Sequence, residues 1–93
     1  VTVTSANAAH IVVLPTPTPG TVVYLTENGS TGYELRSSAP GTVAINGGTG
    51  ENAESAIGGA TELVRCVCVS ATKWIATQFA ADGTESKVTA AAP

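Results

Sequence analysis

The sequence predicts an all-β domain, a small antiparallel β-sandwich or barrel-like fold of seven to eight short strands. Three observations predict it. Short segments rich in Val, Thr, Ile and Tyr recur between clusters of turn formers. The pairs Asn28-Gly29, Asn46-Gly47 and Asp82-Gly83 supply the positive φ that tight hairpin turns need. No apolar period of 3.6 residues is sustained anywhere along the chain.

The elements follow in order. Residues 1–8 form an extended N-terminal arm, with a first short strand at 2–4. An apolar strand at 9–14 stops at Pro15. The alternating prolines of Leu14-Pro-Thr-Pro-Thr-Pro-Gly20 fix φ and withhold amide donors, so that segment is extended and cannot sit centrally in a sheet. Strands at 21–25 and 33–37 flank a turn at 28–32. In the second of them Tyr33 and Leu35 point one way and Glu34 and Arg36 the other, as in a strand with one wet side. At 42–45, Val43 and Ile45 share the buried side. Residues 47–60 read as a long connection, with at most one marginal helical turn at 52–57. Thr61–Ser70 behaves differently. One face carries Val64, Cys66 and Cys68; the other carries Leu63, Val67 and Val69, interrupted only by Arg65. A strand apolar on both faces is covered on both, either inside a sandwich or by a second chain. Strands at 73–79 and 86–89 complete a single β domain over 9–89, and 90–93 is a flexible end.

Composition narrows the function. Only 12% of the 93 residues are charged, about half the usual share. Hydrophobic residues reach 43%, aromatics 4%, and the formal charge is −3. Four scattered cations, Arg36, Arg65, Lys73 and Lys87, cannot neutralise a run of phosphates, so no nucleic-acid partner is expected. No apolar stretch approaches the roughly 18 residues that span a bilayer, so no membrane partner is expected either. No basic leader with an apolar core is visible, and Val1 reads as the product of methionine removal or upstream cleavage. A chain this small has a limited core and is commonly stabilised by disulfides, metal or oligomerisation. Cys66 and Cys68 lie two apart on one face of a strand, where bridging would distort it, and one histidine does not complete a metal site. Oligomerisation remains.

No catalytic constellation stands out, and neither an enzyme activity nor a cofactor is expected. His10 is the only imidazole, and its neighbours Ala9 and Ile11 give no nucleophile elbow. The seven carboxylates are spread singly. Gly47-Gly48-Thr49-Gly50 lacks the lysine and helix of a phosphate cradle. Asn28-Gly29-Ser30 matches a glycosylation acceptor but is better explained as a hairpin turn. Trp74 and Tyr24 together could form part of a sugar platform.

An ordered series of signatures remains: His10-Ile-Val-Val-Leu-Pro15, then Pro19-Gly20-Thr21-Val22-Val23, Gly32-Tyr33-Glu34-Leu35, the step Ile45 to Gly48, and Val67-Cys68-Val69-Ser70-Ala71-Thr72-Lys73-Trp74. Over residues 8–84 this order resembles small β-rich bacteriophage virion proteins, of the capsid decoration (cement) or head-fibre type. The resemblance implies a homotrimer on the outer capsid surface of a virion, assembled in the host cytoplasm and bridging major capsid protein subunits. A receptor- or glycan-binding module of a phage fibre or tail is the alternative. The resemblance carries no catalytic residues. The residues expected between protomers are Leu63, Arg65, Val67, Val69 and Trp74. Those expected to reach the shell are Val1, Thr2, Val3 and Thr4 of the arm, with Thr49, Glu51 and Asn52 of the long connection. An extended arm can add a strand to an exposed sheet edge.

Overall fold

The structure is a computed structural model and describes residues 1–49 and 54–91. All of its regular structure is β, in ten strands that form two sheets around one core. The larger sheet runs in the order β1 (Thr2–Val3), β3 (Val22–Glu27), β7 (Thr61–Ser70), β8 (Lys73–Ala80) and β5 (Ala44–Ile45). A further strand, β9 (Glu85–Lys87), pairs along the same side of β8 as β5. The smaller sheet runs β10 (Thr89–Ala91), β6 (Glu54–Ile57), β4 (Tyr33–Arg36) and β2 (Ile11–Val13).

The core follows from strand alternation. Leu25, Val64, Cys66, Cys68, Trp74 and Ala76 turn inward from the larger sheet and meet Tyr33, Leu35 and Ile57 of the smaller one. Val43 and Ile45 are both buried, as their spacing predicts. The sheets are mixed. Five strand pairs are antiparallel, but β1 with β3, β2 with β4, and β5 with β8 are parallel.

The strand expected within the extended N-terminal arm is present as β1, hydrogen-bonded to β3: Thr26 N donates to Val1 O at 2.9 Å and Asn28 N to Val3 O at 2.7 Å. The Val1 ammonium adds a bond to Tyr24 O at 2.8 Å. Residues 54–57, read as connection or helical turn, are strand β6, which lies between β4 and β10. Two hydrogen-bonding neighbours override a weak local preference. The expected strand at 86–89 is split at Val88, which is buried where the chain leaves the larger sheet and enters the smaller as β10. Part of the C-terminal end is therefore a strand.

Two local devices hold the sheets in place. At the edge of β8, a gap between β5 and β9 is closed by one side chain. Asn46, at φ 52°, accepts from Ala76 N at 2.8 Å and donates to Ala76 O at 2.9 Å. Its amide thus stands in for a backbone peptide. The other device is a close approach of two turns. A Cβ on Gly59 would collide with the carbonyl of Ser30, and one on Gly32 would come within 2.5 Å of Ile57 O. Gly32 also sits at φ 84°, and its N–H is held by both carboxylate oxygens of Glu27 at 2.9 Å. Gly32→Ala is therefore expected to destabilise the fold by about 2 kcal/mol, combining a left-handed backbone cost with a backbone clash. A urea melt of the variant against the parent checks it.

Candidate functional site

Four of the five residues expected between protomers share one surface, the outer face of the larger sheet. Alternation along β7 that buries Val64, Cys66 and Cys68 turns Leu63, Arg65, Val67 and Val69 outward, half-buried or exposed. Register then adds residues from both neighbours. Val67 is paired with Val22 on β3 and Ile75 on β8, a row of three β-branched side chains across the face. Arg65 is paired with Tyr24 and Thr77, and Leu63 with Phe79. Much of this face is open among the described residues: Val22 is 46% exposed, Tyr24 51%, Val69 49% and Ile75 37%. The second layer expected over β7 is thus not supplied on its outer side by the described residues.

Trp74 is the exception, and the expectation for it is corrected. It is fully buried between the sheets, opposite the other four. A register shift explains the reversal. In a regular two-residue hairpin Val69 would oppose Trp74 and place it outside. The shift between Cys68 and Ser70 instead leaves Val69 as the extra residue and pairs Cys68 with Trp74, which carries the indole inward. Val22, Tyr24 and Ile75 were missed for a related reason. Their place on the face depends on pairing between segments, although the alternation of Val22 and Tyr24 along one strand marks them as sharing a side.

The polar groups of the face are few. Arg65 donates to Glu85 at 3.3 Å and lies over the Phe79 ring, 5.6 Å from its centroid. Both partners of this ion pair are exposed, so its contribution is small. Lys87 is in register with Thr77 and Glu85 with Phe79 on the same side, and Lys73 precedes Ile75 by two on β8. Glu62 and Asp82 are exposed at the opposite end of the β7–β8 pair from Lys73.

The residues expected to reach the shell are separated. Val1, Thr2, Val3 and Thr4 lie along β1 at one edge of the larger sheet, whereas Thr49 follows β5 at the other edge. Val3 packs partly into the core. Thr49 is exposed. Glu51 and Asn52 lie outside the described residues.

His10 is exposed, and among the described residues its ring has no hydrogen-bond partner. No group of metal-ligating side chains is assembled among the described residues, and no helix is long and apolar enough to cross a membrane. A cavity of about 450 Å³ opens between Ile45–Gly48 and the β9–β10 corner, lined mainly by backbone, small side chains and Lys87.

The two thiols are free and buried. Burial pushes the Cys66 thiol up to about 12, and burial also raises the Tyr33 hydroxyl, with Cys66 and Glu27 nearby adding to the effect. Unfolding returns the thiol to its ordinary value of 9.0. Below pH 9 both states hold the proton and stability is unaffected. Between pH 9 and about 12 the unfolded chain releases a proton that the folded chain keeps, so stability is lost as pH rises. The slope approaches about 1.4 kcal/mol per pH unit. Denaturant melts at pH 8, 9.5 and 10.5 are expected to show this decline, and Cys66→Val is expected to make it shallower.

No family model matches the chain, and no curated protein or solved structure matches it.

Proposed function

We propose that the chain is a structural component of a bacteriophage virion, a decoration protein that binds the outer capsid shell and strengthens contacts between major capsid protein subunits. The observation that carries the reading is the outer face of the larger sheet, where Val22, Tyr24, Val69 and Ile75 are turned to solvent on a charge-poor domain. A function based on burial needs such a surface. The ordered strand and turn signatures over residues 8–84 supply the virion context, together with the homotrimer that the resemblance implies. The β1 edge and Thr49 are the parts of this chain assigned to the shell, and no catalytic residue or cofactor enters. Imaging of particles that carry the chain tests the reading. Discrete density over the outer shell, between subunits, is the expected result; density confined to tail or fibre overturns it.

The glycan-binding alternative is weakened by the burial of Trp74 in the core. Tyr24 alone of the proposed sugar platform remains on the surface. A glycan-array signal abolished by Tyr24→Ala would favour that alternative over decoration.

A further inference from the structure

Resting on the reading of the chain as an assembling structural protein, we infer that two copies pair back to back through the outer face of the larger sheet. A twofold axis runs across the strands at the level of Arg65 and Thr77. Identical faces that meet each other do so about a twofold axis. Three features of the face support this pairing.

The first is the distribution of apolar side chains. The row Val22–Val67–Ile75 lies two residues to one side of Arg65 and Thr77, and the pair Leu63–Phe79 lies two residues to the other. Rotation about an axis across the strands lays Val67 of one copy on Leu63 of the second, and Ile75 on Phe79. Apolar rows therefore meet apolar rows.

Charge is the second. Lys73 stands at one end of β8, while Asp82 and Glu85 stand at the other, in the turn to β9 and at its start. The same rotation brings Lys73 of each copy over the acidic end of the other. An axis along β7 would instead carry Lys73 over the start of β3, away from the acidic end. Near the chosen axis, Arg65 is already answered within its own chain by Glu85 at 3.3 Å. Lys87, in register with Thr77, meets Lys87 of the second copy where the axis leaves the face, and there each stem can lie on the sheet while the ammonium stays in water.

Area is the third. The domain measures 31 × 23 × 19 Å, and the two longer dimensions are those of a five-strand sheet with a ten-residue central strand. They bound the face at no more than about 700 Å² when flat, of the same order as the roughly 800 Å² that each partner contributes to a stable interface. The pairing is twofold and uses the face that the resemblance assigns to a homotrimer, so in the decoration reading a dimer takes the place of that trimer.

Sedimentation velocity of the full chain at micromolar concentration tests the inference. A dimer is expected, and Ile75→Glu is expected to weaken it at least tenfold while a thermal melt shows the variant folded. Lys73→Glu and Asp82→Lys are each expected to run as monomers alone and to form a mixed dimer when combined, because each then presents the charges the other lacks. A monomer at all concentrations to 100 µM (about a tenth of a millimolar) overturns the inference. So does a dimer or trimer indifferent to Ile75→Glu, or failure of the two charge variants to pair. These outcomes are distinct from failure of the decoration reading, which is decided by where the chain sits on the particle.

Discussion

Trp74→Ala is expected to lower the unfolding free energy by about 3–5 kcal/mol, the range for truncating a large buried aromatic. Trp74 is the largest of the fully buried side chains and lies where the two sheets meet. Its truncation removes apolar burial and leaves a cavity among Cys68, Ala76 and their neighbours, small side chains that cannot move in to fill it. A domain of 93 residues has a total stability of about 5–14 kcal/mol, so the loss is a large share of the whole. The indole N–H has no hydrogen-bond partner among the described residues. Trp74→Phe therefore gives up volume but also removes an unanswered donor, and its cost is expected to be about 1–2 kcal/mol. Guanidinium unfolding followed by circular dichroism separates the two, since the only tryptophan is lost in both.

Arg36→Ala carries the next largest effect, about 3 kcal/mol. Glu54 is fully buried in β6, and its Oε2 accepts from Arg36 Nε of β4 at 2.5 Å, across a register in which the two residues are directly paired. The Arg36 side chain is 28% exposed, so water answers part of its charge and none of that of Glu54. Removal of the guanidinium strands a carboxylate away from solvent, with Oε1 already lacking a partner among the described residues. Replacement of both groups by apolar side chains, Arg36→Met with Glu54→Leu, is expected to recover most of the loss, because the penalty comes from the uncompensated charge. Urea melts of the single and double variants decide the matter. A double variant as unstable as the single would show that the pair contributes more than mutual neutralisation.

Legibility differed along the chain according to whether a residue's place depends on its own strand or on a partner. Leu63 to Cys68 could be sorted into faces from alternation alone, and the structure sorts Val64, Cys66 and Cys68 inward and Leu63, Arg65 and Val67 outward. Trp74 could not be, because its side is decided by one extra residue at Val69 that no composition signals. Glu54 and Ser55 are buried polar residues, and their segment becomes a strand only because β4 and β10 lie on either side of it. Ala90 resembles a tail in sequence and is a sheet edge in the fold. The apolar face was visible in part, through β7. Its full extent required the register that brings β3 and β8 alongside.

Strand order also has a temporal consequence. Among the described residues only β7–β8 and β8–β9 are pairs of consecutive strands; β1–β3, β2–β4, β3–β7, β4–β6, β5–β8 and β6–β10 all join segments separated by at least one other strand. The β7–β8 hairpin can close within about 1–10 μs. Apart from β8–β9, every other pairing waits on a long loop closure, which places complete folding in the millisecond-to-second range. The hairpin that forms first carries Leu63, Val67, Ile75 and Phe79, so both apolar rows of its outer surface exist before the core is sealed. A full-length chain that is still folding thus presents that surface to other copies before its core is sealed. Chain concentration during folding, as well as final affinity, then governs how cleanly the chains assemble.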